Sequence, residues 1–376
     1  MKTSLKIIVL LLLMNSVFSQ KTLPIIQATS KIVDIKVGET FYKNQWTINS
    51  AYKPDIYEVG EIGKVVTFYT DIDSISLKVD TQTKFDFIIL LNEKDSAYTQ
   101  IKYRESYLKT LKKANKYEEN QVRNLPKFTY QDSSDVHLKR IKENFNLDSI
   151  AGNGNEISKL LNVMNWVHNI VKHDGSSSNP VLKNAIDLVK ICRTENRTAN
   201  CRMMAIILNE CYLSLGFKSR MVTCMPKPLE FQDCHVINTV FSEQLNKWVW
   251  LDPTFDAYVM NEKGELLGLQ EVRERLINDQ SLILNPEANW NREMSQTKEN
   301  YLYNYMAKNL YRLEVPLHST YNYETEEEGK TVEKIQLLPL DGINQEPEIK
   351  VIEDKKANMT YKTYITNNPN VFWQMK

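Results

Sequence analysis

From Asn200 to Leu215 the chain reads as a helix with almost no polar direction. Asn200 has a side chain suited to capping, and Cys201, Ala205, Leu208, Tyr212 and Leu215 fall on one face, with Met203, Met204, Ile206 and Ile207 filling others. A helix that is apolar all round must be buried, so the remaining chain has to supply layers on every side of it. Cys201 sits in its first turn, where the helix dipole and unpaired N–H groups favour a thiolate and could hold an oxyanion. On this segment alone, a nucleophile and a small buried hydrophobe are both open readings.

A second segment bears on that choice. His235–Phe241 and Lys247–Asp252 alternate as strands, with Ser242–Asn246 as the connecting loop. A five-residue loop would place His235 opposite Pro253, and a one-residue adjustment would place it opposite Asp252. Side chains directly opposed in such a pair lie about 5 Å apart at Cβ. A cysteine at a helix start, a histidine on a strand and a carboxylate able to orient it form a nucleophile–base–orienter set. Each residue alone has a structural explanation: core thiol, core histidine, or strand-end residue before a proline. The three together favour chemistry.

These residues resemble the transglutaminase-like superfamily of papain-like cysteine enzymes, over about residues 159–254 and more weakly to 276. The resemblance rests on Cys201, Ala205, Leu208, Gly216 and Arg220-Met221-Val222, on His235, and on Trp248-Val249-Trp250-Leu251-Asp252-Pro253-Thr254. Trp166-Val167 with Val171-Lys172-His173 resembles the helix preceding the catalytic one. The resemblance implies an α+β papain-like core, helices packed on an antiparallel sheet, with Cys201, His235 and Asp252 as catalytic triad and no cofactor. The aromatic residue common two places after the histidine is Ile237 here, and Asn200 precedes the nucleophile. A side-chain oxyanion donor is unassigned, with Asn196, Asn200 and His173 as candidates. Arg220 and Trp248 are expected to be structural.

The remaining sequence supplies the setting. Lys2 and Lys6, the apolar run Ile7–Met14 and the small residue Ser19 read as a signal peptide over residues 1–19, so the protein is expected to be exported, periplasmic or secreted, without a membrane span. Residues 20–103 carry short alternating runs such as Lys64–Tyr69, Ser74–Val79 and Phe85–Leu91, which predict a small antiparallel β module; Asp71-Ile72-Asp73 reads as a turn within it. Residues 104–125 read as a charged helix or linker, 126–310 as the catalytic domain and 311–376 as a β-containing extension packed on it. Glu324–Glu328 is expected to be a solvated loop tip.

All five cysteines, Cys192, Cys201, Cys211, Cys224 and Cys234, lie in that catalytic stretch, and their spacing matches no zinc site. Cys224 and Cys234 flank a predicted hairpin loop, leaving a disulfide or two thiols as alternatives. Lys and Arg total 47, as do Asp and Glu, so no long-range charge favours nucleic acid. The partner expected is a protein or peptide substrate cleaved at an amide, with hydrolysis preferred over transamidation. The competing reading is a non-catalytic binding or scaffold protein that uses the β module.

Overall fold

The computed structural model describes residues 23–80, 84–119, 123–229, 233–341, 343 and 346–375. The expected leader, residues 1–19, lies outside the described residues. Among those described, no helix is long and apolar enough to cross a membrane. The chain divides into two compact units, one ending at Glu105 and the other beginning at Ser106.

Among the described residues, the first unit holds eight strands: β1 (Ile25–Ala28), β2 (Ile32–Val37), β3 (Thr40–Thr47), β4 (Asp55–Val59), β5 (Val65–Tyr69), β6 (Ser74–Lys78), β7 (Lys84–Leu91) and β8 (Asp95–Tyr103). They form two four-stranded sheets, β1-β7-β8-β4 and β3-β2-β5-β6. Alternate residues Val33, Ile35, Val66, Phe68, Phe87, Ile89 and Ile101 make one buried cluster. Phe68 meets Phe87 edge-on at 5.5 Å. The module is not wholly antiparallel as expected: β1 runs parallel to β7 and β4 parallel to β8, a relation between strands distant in sequence that local alternation does not encode. Asp71 and Asp73 lie in the β5–β6 turn. Their carboxylates accept the backbone N–H groups of Thr29 and Gln27, so they satisfy main-chain donors.

The second unit is α+β. Its helices include α1 (Tyr107–Lys112), α2 (Val136–Phe145), α3 (Leu147–Ala151), α4 (Glu156–Ile170), α5 (Ala185–Thr194), α6 (Cys201–Ser214) and α7 (Leu269–Ile277). Its large sheet contains β9 (Ser219–Met225), β10 (His235–Ser242), β11 (Lys247–Leu251), β12 (Arg312–Pro316), β13 (Thr331–Leu337), β14 (Ile349–Asp354) and β15 (Met359–Thr366), in the order β11-β10-β9-β12-β13-β15-β14. Every pair is antiparallel except β13–β15, which is parallel. The residues expected to form an appended extension therefore supply four of seven strands in the same sheet as the histidine strand.

The sheet separates two cores by the alternation of its strands. Met221, Val236, Val240, Val249 and Leu251 pack with α2–α6, whereas Val222, Cys224, Ile237 and Trp250 pack with the opposite layer, which includes Leu111, Leu276 and Tyr301. Helix α6 is buried from Met203 through Ser214. Its polar residues are satisfied: the Tyr212 hydroxyl donates to the Leu160 carbonyl at 2.7 Å, and the Glu210 carboxylate accepts the N–H groups of Ala185 and Asn322. Burial pushes the Glu210 carboxyl up to about 8.

Two expectations are corrected. The 104–125 stretch is not simply solvated: Ser106 caps α1, and Leu111 is fully buried against the second core. Nor is Glu324–Glu328 a free loop tip. Glu324 pairs with Arg202 at 2.7 Å and Glu326 with Lys183 at 2.9 Å, which fixes this loop beside the start of α6.

Arg220 is 1% exposed, and among the described residues it pairs with no carboxylate. Its guanidinium donates to the Tyr130 hydroxyl and to the carbonyls of Phe372 and Gln374, and it lies 3.7 Å from the Phe128 ring centroid and 4.3 Å from that of Trp248. It thereby ties the chain's last turn to β9. Arg220→Lys cannot reproduce the fork or the stacking. The expected cost is about 2–4 kcal/mol in urea unfolding, from carbonyls left without donors; a change below a few tenths would show that the C-terminal segment is not held this way.

Candidate active site

The site forms where the N-terminus of α6 meets the ends of β10 and β11. Asn200 caps α6 by accepting the Met203 N–H at 3.0 Å, and its amide donates to the Ser177 carbonyl and the Asn179 side chain, both at 2.8 Å. That use of both ends of the amide removes Asn200 as an oxyanion donor. Asn196 is exposed, in a left-handed conformation (φ 49°) after α5, and bonds to none of the three predicted catalytic side chains. Of the three oxyanion candidates, only His173 stands close enough to Cys201 to help lower its thiol.

The histidine and carboxylate meet, but not as directly opposed residues. Ser242 pairs with Lys247, so the loop has four residues, and the ladder ends at Asn238–Leu251. Beyond that point the chain turns through a bridge between Asp252 and Ala257. Asp252 therefore reaches His235 past the end of the ladder, its Oδ2 lying 2.7 Å from Nε2. Both residues are out of solvent, at 0% and 1% exposure. The same Oδ2 accepts the Tyr301 hydroxyl at 2.6 Å, and Oδ1 accepts the Thr254 N–H at 2.9 Å. The Trp250 indole donates in turn to the Tyr301 oxygen at 3.2 Å.

Because Asp252 occupies Nε2 of His235, Nδ1 is left as the nitrogen open to Cys201; it is buried and makes no hydrogen bond among the described residues. Phe255 and Tyr305 pack edge-on against the imidazole at 5.6 and 5.1 Å. Tyr301 and Tyr305 both come from a π-helical segment, Glu299–Met306, a geometry often found at functional sites.

Electrostatics separate Cys201 from the other cysteines. Burial alone would raise its thiol; the nearby His173 and His235 rings, the His235 charge and the Val236 backbone overcome this and lower it to about 6. Burial disfavours the His235 imidazolium, but the adjacent Asp252 charge and hydrogen bond, with a contribution from Cys201, raise it to about 10. Cys192, Cys211, Cys224 and Cys234 all shift upward, with burial as the main cause. The two shifts run in complementary directions, toward a thiolate on Cys201 and an imidazolium on His235.

The disulfide alternative is not realised: Cys224 and Cys234 are both free. Strand register pairs Cys224 with His235, one position off the expected match, and buries its thiol in the core. Tyr301 and Trp290, which bonds to His173, were not found by sequence reasoning. Each lies far from its partner in the chain, and neither has a spacing that marks it.

With this geometry in place, comparison with known proteins is informative. Residues 143–253 match the model of the Transglutaminase-like superfamily. Among solved structures, the chain is similar to a candidate cysteine protease from Cytophaga hutchinsonii, at 22% identity and a TM-score of 0.25, over 31% of this chain and 37% of that one. It is also similar to red sea bream transglutaminase, at 11% identity and a TM-score of 0.26, over 81% of this chain and 69% of that one. No curated protein matches significantly. The chain thus spans little more than a third of the first of these structures. The similarity to the Transglutaminase-like superfamily thus lies in residues 143–253, the stretch that holds Cys201, His235 and Asp252.

Two outcomes are expected. Iodoacetamide labelling of Cys201, read by peptide mapping, should reach half its maximum near pH 6, because a lowered thiol is ionised above that value; in His235→Ala the midpoint should rise toward the ordinary cysteine range. Coincident midpoints for Cys201 and Cys234 would contradict the pairing. Tyr301→Phe removes one of two donors to Asp252 Oδ2 and strips the Trp250 indole of its acceptor. About 1–3 kcal/mol should be lost in denaturant unfolding, and an unchanged midpoint would show that the hydroxyl is not part of the network.

Proposed function

We propose that this protein is an enzyme with a cysteine nucleophile that hydrolyses amide bonds in proteins or peptides. The observation that carries the reading is the selective lowering of Cys201, alone among the five cysteines, beside an imidazole bonded to a buried carboxylate. The Cys201 sulfur attacks the amide carbonyl, forming an S–C bond as the C=O π pair moves onto oxygen. The oxyanion lies within reach of the free N–H groups at the start of α6. Collapse breaks the C–N bond, and His235 Nδ1 delivers its proton to the leaving amine. Water then adds to the thioester, giving its proton to His235, and the acid departs as the thiolate returns. Asp252 holds the imidazole so that Nδ1 faces the sulfur throughout.

Transamidation differs only in the acceptor, an amine in place of water. Hydrolysis is preferred because water is always present as an acceptor. The leader-like segment at residues 1–19 supports export, and a mature chain beginning at Gln20 is the outcome that N-terminal sequencing of the secreted form should give.

The test pairs fluorescein-labelled casein, read for peptide release, with monodansylcadaverine, read for incorporation into the same substrate. Cys201→Ala should abolish peptide release, and Asp252→Asn should reduce it by about 10²–10⁴-fold. Dansyl incorporation exceeding peptide release would replace hydrolysis with transamidation. If Cys201→Ala preserves the biological phenotype while removal of residues 23–103 abolishes it, the protein is a scaffold.

A further inference from the structure

His173 occupies a more determined position than a loop residue requires. Its backbone bridges Ala199, two residues before the nucleophile: the Asp174 N–H donates to the Ala199 carbonyl at 2.9 Å, and the Ala199 N–H to the Lys172 carbonyl at 2.8 Å. On its other side, Asn291 grips the same residue twice. The His173 N–H donates to Asn291 Oδ1 at 2.7 Å, and Asn291 Nδ2 donates to the His173 carbonyl at 2.9 Å. Asn291 is the first loop residue of the small hairpin pairing Asn289 and Trp290 with Ser295 and Met294, and it adopts the left-handed conformation (φ 54°).

The ring is fixed as well as the backbone. Trp290 Nε1 lies 3.0 Å from His173 Nδ1. An indole N–H can only donate, so Nδ1 must present its lone pair, and the neutral imidazole carries its proton on Nε2. Adding a second proton at Nδ1 would break the indole bond. The two histidines beside Cys201 are therefore used in opposite senses. His235 offers Nδ1 to receive and return a proton, whereas His173 offers a proton that it has no means of exchanging through Nδ1.

We propose that His173 is the side-chain oxyanion donor of this site, through Nε2–H, and that Trp290 is the positioning residue that fixes that tautomer and aims it at Cys201. The proposal rests on Cys201 acting as the nucleophile. A neutral donor with a fixed tautomer suits the role because it stabilises negative charge, first on sulfur and then on the carbonyl oxygen, without competing with His235 for the proton. Asn291, by holding the main chain on both sides, keeps the imidazole from following the substrate as it reacts.

The test separates a reaction that develops an oxyanion from one that does not. Acylation by p-nitrophenyl acetate forms the S–C bond, passes through an oxyanion and expels p-nitrophenolate; alkylation by iodoacetamide displaces iodide from carbon with no oxyanion. Both are measured on the full chain at a pH where the Cys201 thiolate is fully formed in every variant. His173→Ala should lower the acylation rate by about 10²-fold, with alkylation far less affected. His173→Gln, which retains an N–H donor, should recover part of the loss. Trp290→Phe should lower acylation about tenfold, the effect of one misdirected hydrogen bond. Thermal unfolding checks each variant, and should His173→Ala be unfolded, the Gln and Phe variants carry the test. Parallel loss of acylation and alkylation, or wild-type acylation in folded Trp290→Phe, would overturn the proposal. Failure of wild-type Cys201 to react selectively with iodoacetamide would instead overturn the nucleophile on which it rests.

Discussion

Asp252 lies wholly out of solvent, and three donors converge on its two oxygens: His235, Tyr301 and the Thr254 backbone. A carboxylate is tolerated in such a place only when its lone pairs are filled. That requirement brings together parts of the chain that are otherwise independent. The end of β11 must turn sharply after Leu251, the π-helical segment must deliver Tyr301 from the opposite layer, and β10 must begin at the histidine. Once the carboxylate is satisfied, the His235 ring is oriented and its free nitrogen is left for the sulfur.

The large sheet decides which side chains enter this arrangement. Alternation along β10 sends Val236 and Val240 toward α6 and Ile237 toward the second core, and His235 belongs to the latter set, beside Phe255 and Tyr305. Cys201 reaches the imidazole because α6 begins at the end of the sheet, where the first free N–H groups of the helix are also found. Helix burial, strand parity and the position of the cap thus act as one constraint. The Arg202–Glu324 ion pair adds a tether from the segment preceding β13 to the residue beside the nucleophile.

The site also shows how one buried thiol shifts down while the other four shift up. Desolvation raises every cysteine in this chain. Only Cys201 stands beside two imidazoles at a helix N-terminus, and their combined influence exceeds the burial penalty. Cys224 lies directly across the ladder from His235, yet its thiol points into apolar core and shifts the other way.

The amino-acid sequence by itself determined the helices and strands, because the periodicity of Glu156–Ile170, Cys201–Ser214 and His235–Ser242 is set by which residues each element must bury. It also named Cys201, His235 and Asp252, since a cap, a strand start and a strand end are local signals. It did not determine the hairpin register, which came out one residue from expectation and left Cys224 and Cys234 as thiols, because loop length depends on how the turn packs. Nor did it show that residues 312–366 complete the sheet, or that Tyr301 serves Asp252 and Trp290 serves His173. Those pairings join positions 49 and 117 residues apart, and the hydrogen bonds linking them exist only once tertiary packing has excluded water from both partners.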